Sequence, residues 1–566
     1  MDKVIETQLT AARLLDREDK ILSWRTATRW ISRFDIHDIA TVALITGLVI
    51  LALGTFRDYA ISNDEGVQHH YGELIVAYYT SGFRNQSLFN FENLYLYGGL
   101  FDVASIALSH LIPIDPYDLR HILCALIGIG GIGAAAATAR LIGGPRAAII
   151  TAITLSTCGT WYGAMFNHTK DIPFAAAMMG ASFFLIRIAR SLPSPRTLDI
   201  TAFGLLTGAA LGIRVLGLLL IIYAGMAIIL YLPRTQLDRS RPRWWFVACS
   251  SFRLLPGLLL AYVVMVLAWP WAALAPLNPI RGLAEFSEFH YPIRTVLAGQ
   301  VHDMANVPRL YVPIYVLVRT PLLTLFGAAF AILFAMLPVT IPGARRQHRR
   351  DIALILLMVT FPLVCQAALH GPAFTGLRHF LFIIPPLAIL AGIGLDSALI
   401  ALATCRRLVA NSGFAVVSAC LIWNAVTLVR LHPYEYLFYN SIVGGLEGAS
   451  RRYDMDYWFG SMPEALGQLE TFLRAAPADA SQPGQIYSVA VCGGRHSFEK
   501  TVTLPQLHWD FRSSWEESDF FLAPTHMNCD EDLDGKVIAT VERLGVIIAY
   551  VKDRRALIRP SEAATR

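Results

Sequence analysis

Apolar residues in this chain come in blocks. Eleven blocks stand out, at residues 39–56, 121–139, 145–162, 171–189, 198–213, 215–232, 254–275, 314–340, 352–369, 379–403 and 412–430. A helix needs about 20 mostly apolar residues to cross a ~30 Å hydrocarbon core, so each block predicts a membrane span. Between the first two blocks the run SNDEGVQHHYGELIVAYY follows another pattern. Val67, Tyr71, Leu74, Ile75 and Tyr78 recur at helical period, with Gln68, His69 and Glu73 off that stripe. This predicts a helix lying in the membrane interface. Beyond residue 430 the pattern changes again: IYSVAVCG, DFFLAP and GVIIAYVKD are short strand-like runs, and 462–475 reads as a helix. The expected fold class is mainly α, a bundle of about eleven transmembrane helices with a small exported C-terminal α/β domain of ordinary size.

Composition sharpens the picture. The 566 residues are 55% hydrophobic and only 16% charged, against about 25% charged in soluble proteins, which argues against a soluble multidomain protein and against disorder. The net charge of +5 is no nucleic-acid footprint, because the basic residues fall in short clusters between apolar blocks, and no nucleic-acid partner is expected. With the N-terminus inside, the cytoplasmic loops collect Arg140 and Arg146; Arg187, Arg190 and Arg196; Arg234, Arg239, Arg241, Arg243 and Arg253; Arg345, Arg346, Arg349 and Arg350; and Arg406 and Arg407. The opposite loops, the largest at 57–120 and 276–313, spread their basic residues singly. The expectation is a cytoplasmic segment over 1–37, a transmembrane domain over 38–430 and an exported domain over 431–566. That makes a multi-pass protein of a bacterial-type inner membrane, with its polar loops on the periplasmic or external face. Residues 1–37 are polar and mixed in charge, so the first span is expected to act as its own insertion signal. Eight cysteines without a CxxC pair give no support to a zinc ribbon or thioredoxin-like site. Cys492 and Cys529 lie in the tail, where an oxidising compartment would permit a disulfide. Trp161, Tyr162, Trp269, Trp271, Tyr311 and Tyr315 are expected as interfacial belt anchors.

The chemistry-bearing residues cluster at the external ends of the blocks. Asp64 and Glu65 open the loop helix. Acids there suit a helix dipole, and Asn63 or Asp64 could cap it, but a carboxylate could equally take a hydroxyl proton or hold a divalent cation. The run MFNHTKDIPFAA (165–176) places His168, Lys170 and Asp171 between two apolar helices, more polarity than capping requires. Arg214 in AALGIRVLGLLL, and Arg378 with His379 in GPAFTGLRHFLFIIPP, are ionisable groups in apolar settings. Such groups are functional hypotheses by default, and arginine suits a bidentate phosphate contact. A divalent metal ion could gather Asp64, Asp171 and His168, with Glu65 close by, although no spacing demands one; no organic cofactor is expected.

In order along the chain, these motifs resemble the GT-C superfamily of integral membrane glycosyltransferases, and within it the family 39 branch of protein O-mannosyltransferases and lipid A aminoarabinose transferases. An Asp-Glu motif after the first span is matched by Asp64 and Glu65, and a second external acidic element by NHTKDIP. Arg214 stands where that family usually has Lys before Gly, and Arg378-His379 is similar to its Arg/His-aromatic motif opening a late span. The resemblance spans roughly 39–430; the tail resembles no known module of the branch. It implies transfer of a sugar from a polyprenyl-phosphate donor to an acceptor hydroxyl on a lipid, glycan or protein, within membrane lipid, at the external face and with inversion. Asp64, Glu65 and Asp171 would be the catalytic acids, and Arg214, Arg378, Lys170 and His379 would hold the donor phosphate. The competing expectation is a transporter or flippase of lipid-linked sugars. Against it, the blocks show no two-fold repeat and the acids gather on one side.

Overall fold

The computed structural model describes residues 35–233, 242–287, 293–336, 342–475 and 485–558. Residues 1–34 of the expected cytoplasmic segment, and Arg234, Arg239 and Arg241, lie outside the described residues. Among the described residues, each of the eleven apolar blocks is built on helix. The helices that frame the site are, in chain order, α1 (Ile36–Thr55), α2 (Asn63–Thr80), α3 (Leu100–Ser109), α4 (Pro116–Gly143), α5 (Pro145–Ser156), α6 (Asp171–Ser191), α7 (Thr197–Leu211), α8 (Leu219–Leu230), α9 (Arg243–Ala268), α10 (Asn278–Ser287), α11 (Tyr311–Arg319), α12 (Leu322–Met336), α13 (Pro342–Leu369), α14 (Ile384–Ala403) and α15 (Arg407–Leu431).

This is a multi-pass membrane protein. Among the described residues seven helices are long and apolar enough to cross a bilayer, and α11 with α12, bent by 108° at their junction, makes eight if the pair is one span. The blocks at 145–162, 198–213 and 215–232 form shorter helices. The expected eleven therefore appear as helical segments, while three fall short of full span length. The breaks have local causes: the chain leaves helix at Thr157–Cys158 before a short turn at Gly159–Tyr162, and leaves it again at Gly212–Arg214.

At the end where the arginine clusters gather, four pairs of helices are tied together by buried acids. Arg140 meets Asp38 at 2.6 Å, Arg146 meets Asp396 at 3.1 Å, Arg187 meets Asp199 at 2.8 Å and Arg190 meets Asp351 at 2.5 Å. All four carboxylates are buried, so the arginines expected only as topology markers also compensate charge inside the bundle. Several expected belt anchors are core residues instead: Trp161, Trp269, Tyr311 and Tyr315 are fully buried. The 276–313 segment contains α10 and an antiparallel hairpin of β1 (Arg294–Leu297) and β2 (Gln300–Asp303), both unforeseen.

The C-terminal region forms a five-stranded sheet of β3 (Tyr487–Val491), β4 (Leu507–Trp509), β5 (Phe520–Pro524), β6 (Lys536–Arg543) and β7 (Val546–Asp553), in the order β4-β3-β5-β7-β6. β3 runs parallel to β4 and β5, and β7 pairs antiparallel with β5 and β6. The continuous apolar runs of β3 and β5 suit central strands covered on both faces. Against the sheet packs α16 (Met462–Ala475), which buries Leu466, Leu469 and Leu473. A disulfide joins Cys492, just past β3, to Cys529 beyond β5. A short helix, α17 (Arg495–Thr501), follows β3.

Candidate active site

Ser62 starts α2 with a capping box: its backbone N–H donates to Glu65 Oε2 at 2.7 Å, and its own side chain receives the reciprocal bond. Glu65 is fully buried and also meets His121 Nε2 at 3.1 Å. The cap is thus complete without Asp64, whose carboxylate is free to point elsewhere. It accepts a hydrogen bond from Arg378 Nη2.

Arg378 stands at the head of the turn leading into α14, and its Nε donates at 3.0 Å to Asp171, the first residue of α6. Arg214, in the break between α7 and α8, donates through Nη2 to the other oxygen of Asp171. Four residues from four distant segments therefore form one chain, Asp64–Arg378–Asp171–Arg214. Two positive and two negative groups balance, which is how buried charge is tolerated. Asp171 and both arginines are buried, whereas the Asp64 side chain retains 25% exposure.

A glycine makes this junction reachable. A Cβ at Gly98 would overlap the carbonyl oxygen of Gly212, so only glycine lets the 97–100 loop close on the Arg214 turn. That loop presents Tyr97 between two cations, Lys170 Nζ at 4.6 Å and the Arg214 guanidinium at 5.7 Å from its ring centre. Lys170 is buried, with no hydrogen-bond partner among the described residues, and lies 4.0 Å from Asp102. Burial pushes its ammonium down to about 8. Below it, fully buried Arg120 donates to Asp102 at 2.8 Å, Ser105 at 3.1 Å, Thr169 at 3.2 Å and Gln68 at 3.4 Å. This network pins the 165–171 loop to α2 and α3. Gln68 enters it because it lies off the apolar stripe; Arg120 and Asp102 were hidden inside otherwise helical sequence.

His168 does not join the carboxylates. Its Nδ1 lies 3.1 Å from Asn167 Oδ1, and its ring stacks on Tyr457 at 3.8 Å. Burial pushes its imidazole down to about 3, so it is neutral. His379 packs edge-on against Phe374 at 4.6 Å. Both carboxylates proposed as metal ligands already face guanidinium groups, so in this arrangement Asp64, Asp171 and His168 do not form a cation-binding set. Among the described residues the grouping close enough to hold a metal is Cys492, Cys529 and Asp532, whose two sulfurs are joined to each other.

A cavity borders the cluster. Thr160, His168, Arg319, Arg378, Asp456 and Tyr457 line it, and neither Asp64 nor Asp171 does. Arg319 is buried and donates to Tyr439 Oη at 2.8 Å and to the Asp454 carbonyl at 2.7 Å; among the described residues it has no carboxylate partner. Asp456 accepts from Tyr457 N, Gly460 N, Tyr436 Oη and Ser461 Oγ at 2.6–3.0 Å. Burial pushes its carboxyl up. Arg319 carried the same signal as Arg214, a charge inside an apolar block, and was passed over because it fell within the expected 314–340 span; Asp456 and Tyr457 lie in the connection to the sheet, where little marks them.

The C-terminal region reaches the same place. On α17, His496 packs against Gly66 and Ser497 Oγ donates at 2.7 Å to the Ile61 carbonyl, so the sheet region rests on the N-terminus of α2.

No family model matches the chain, and no curated protein matches it. Solved structures resemble it. One is ArnT from Cupriavidus metallidurans bound to undecaprenyl phosphate, at 16% identity and a TM-score of 0.46, covering 93% of this chain and 98% of that one. Another is the archaeal oligosaccharyltransferase AglB from Archaeoglobus fulgidus in complex with an inhibitory peptide and a dolichol-phosphate, at 12% identity and a TM-score of 0.44, covering 81% and 62%. A third is the arabinofuranosyltransferase AftD from Mycobacteria, at 12% and 0.43, covering 91% and 40%. These neighbours are membrane glycosyltransferases of the GT-C fold.

Proposed function

We propose that the protein is a membrane glycosyltransferase that moves a sugar from a polyprenyl-phosphate donor to an acceptor hydroxyl at the periplasmic or external face. The observation that carries this reading is the chain Asp64–Arg378–Asp171–Arg214 beside a cavity that also takes in Arg319. Attack of a hydroxyl on an anomeric carbon needs a base for the departing proton and positive charge for the phosphate leaving group. One partly exposed carboxylate next to buried guanidinium groups supplies both. Asp64 acts as base, Arg378 and Arg214 with Lys170 stabilise the phosphate, and Asp171 holds the two arginines in place. Glu65 brackets the helix that carries Asp64, and His379 seats the turn that carries Arg378. Direct displacement inverts the anomeric centre. The lipid tail lies in the bilayer, and the acceptor, a lipid, glycan or protein, arrives from outside.

The cluster's place at helix ends favours an enzyme over a transporter of lipid-linked sugars, whose site would lie near the bilayer midplane. A divalent ion at Asp64, Asp171 and His168 would first have to draw both carboxylates from their arginines, and the scheme assigns it no step. The test is direct: purified protein is supplied with radiolabelled polyprenyl-phosphate sugars and candidate acceptors in proteoliposomes. Transfer of label to an acceptor supports the reading. Movement of intact donor across the bilayer without transfer rejects it.

A further inference from the structure

Arg378 is the pivot of the cluster and also lines the cavity, yet one of its two carboxylate partners is held far less firmly than the other. Asp171 is buried and gripped by two arginines. The Asp64 side chain is a quarter exposed, and among the described residues its carboxylate has one hydrogen bond, from Arg378 Nη2, with no role in capping its helix. Arg378 lines the cavity together with Tyr457; its Nη1 makes no hydrogen bond among the described residues, and the Tyr457 ring lies 5.3 Å from the guanidinium. Arg319, across the same cavity, brings a second guanidinium without a carboxylate partner among the described residues. An anion entering this cavity therefore meets Arg378 from its unoccupied edge and competes for the nitrogen that Asp64 holds.

We infer that Asp64 and the donor phosphate are exchangeable partners of Arg378. Seating the phosphate displaces Asp64, so the carboxylate is freed as a base only when a donor is in place. The inference rests on the donor reading above and adds an order of events to it. A carboxylate tied to a guanidinium is a poor proton acceptor, since the pair stabilises its charged, unprotonated state. Before a donor binds, the base is masked. Phosphate offers more acceptor oxygens to the fork of an arginine than the single oxygen Asp64 presents, which favours the exchange. Asp171 stays, because Arg214 retains it.

The competition has a signature that a purely catalytic or structural Asp64 lacks. Removing the charge of Asp64 should tighten donor-phosphate binding while abolishing turnover. Binding of fluorescent undecaprenyl phosphate is measured for wild type, Asp64→Asn, Arg378→Ala and the double variant, with Asp64→Ser as a second substitution and thermal unfolding as a check on folding. The expected result is roughly ten-fold tighter binding for Asp64→Asn and Asp64→Ser, the size of one lost charge-assisted competitor. The gain should vanish in the Arg378→Ala background, since the coupling runs through that residue. Unchanged or weaker binding by both Asp64 variants overturns the exchange alone. A gain that persists without Arg378 also overturns it, leaving only a general field effect. Wild type that fails to bind the lipid phosphate overturns the donor reading together with the exchange.

Discussion

Arg378 contacts its two acids through different nitrogens, Nε for Asp171 and Nη2 for Asp64, whereas Arg214 uses one nitrogen on one acid. Lysine can replace a single charge contact but not a fork. Arg214→Lys should therefore keep a substantial share of turnover, and Arg378→Lys should lose most of it; steady-state rates of the two variants side by side check this, and equal losses would deny the bridging role. Asp64→Asn should lower turnover by about 10²–10⁴-fold, the usual share of a general base. Its melting temperature should stay at the wild-type value, because Ser62 and Glu65 cap α2 without it. Retained turnover would remove Asp64 from the mechanism. Arg214 and Arg378 were legible in the sequence as charges in apolar surroundings, Asp64 and Asp171 as acids in polar segments at the external ends of the blocks. Their mutual pairing was not, because pairing between residues 64, 171, 214 and 378 is a property of the packed helices. Arg319 lies inside the 314–340 apolar block, a charge in apolar surroundings like Arg214, and was absorbed into that expected span; Asp456 sits in an aromatic-rich link, where a carboxylate is not unusual.

At the scale of elements, hydropathy located the helices well because burial in lipid makes apolar length the dominant signal. It placed the break at Arg214, where one block ends and the next begins, but not those at Thr157–Cys158 and Thr320–Pro321, which fall inside the 145–162 and 314–340 blocks because the apolar composition runs through them. The three strand-like runs became β3, β5 and β7, but β4 and β6 are edge strands with polar faces and read as loop. Between helices, the buried ion pairs make a specific claim. Asp351 is fully buried and serves Arg190 on α6 and Tyr231 after α8. Asp351→Ala leaves the part-buried Arg190 guanidinium without its carboxylate and should destabilise the bundle by about 1–3 kcal/mol, seen as a lowered unfolding temperature in detergent; an unchanged one would mean that Arg190 finds water. A second tie joins α15 to the exit of α1. His432 Nδ1 meets Glu435 Oε1 at 2.8 Å and its Nε2 meets Asp58 Oδ2 at 2.9 Å. The hydrogen bond to Glu435, foremost, raises the His432 imidazole above its ordinary range. Because the folded value exceeds the unfolded one of about 6.5, the tie contributes fully below that pH and is lost as pH rises through the elevated folded value. Thermal unfolding followed across that window should show the loss, and His432→Gln should flatten the profile in it.

Over the whole molecule, the site is assembled from both ends of the chain. The acid pair of α2 comes from the first loop, Asp171 and Arg214 from the middle, Arg378 from a late span, and Tyr457 from the segment that leads to the sheet. The sheet region, with no recognisable motif of its own, reads in sequence only as an appended domain. Its contacts give it a different standing, because α17 sits on the first turn of α2, where Asp64 begins. Gly494 is the point of closest approach: its backbone has an ordinary negative φ of −70°, so a side chain is conformationally allowed there, but a Cβ would overlap Asn63 Oδ1. Gly494→Val therefore tests docking without straining the backbone or touching any charged group of the cluster. The β-branched side chain should push α17 off α2, leave Asp64 without its fixed distance to Arg378, and lower turnover by at least ten-fold. The sheet should stay folded, since its core strands and the Cys492–Cys529 disulfide are untouched. Limited proteolysis and turnover on the same preparation decide between the roles. Faster cleavage around α17 together with lost activity would make the C-terminal region a clamp on Asp64, whereas faster cleavage with full activity would make it a passenger.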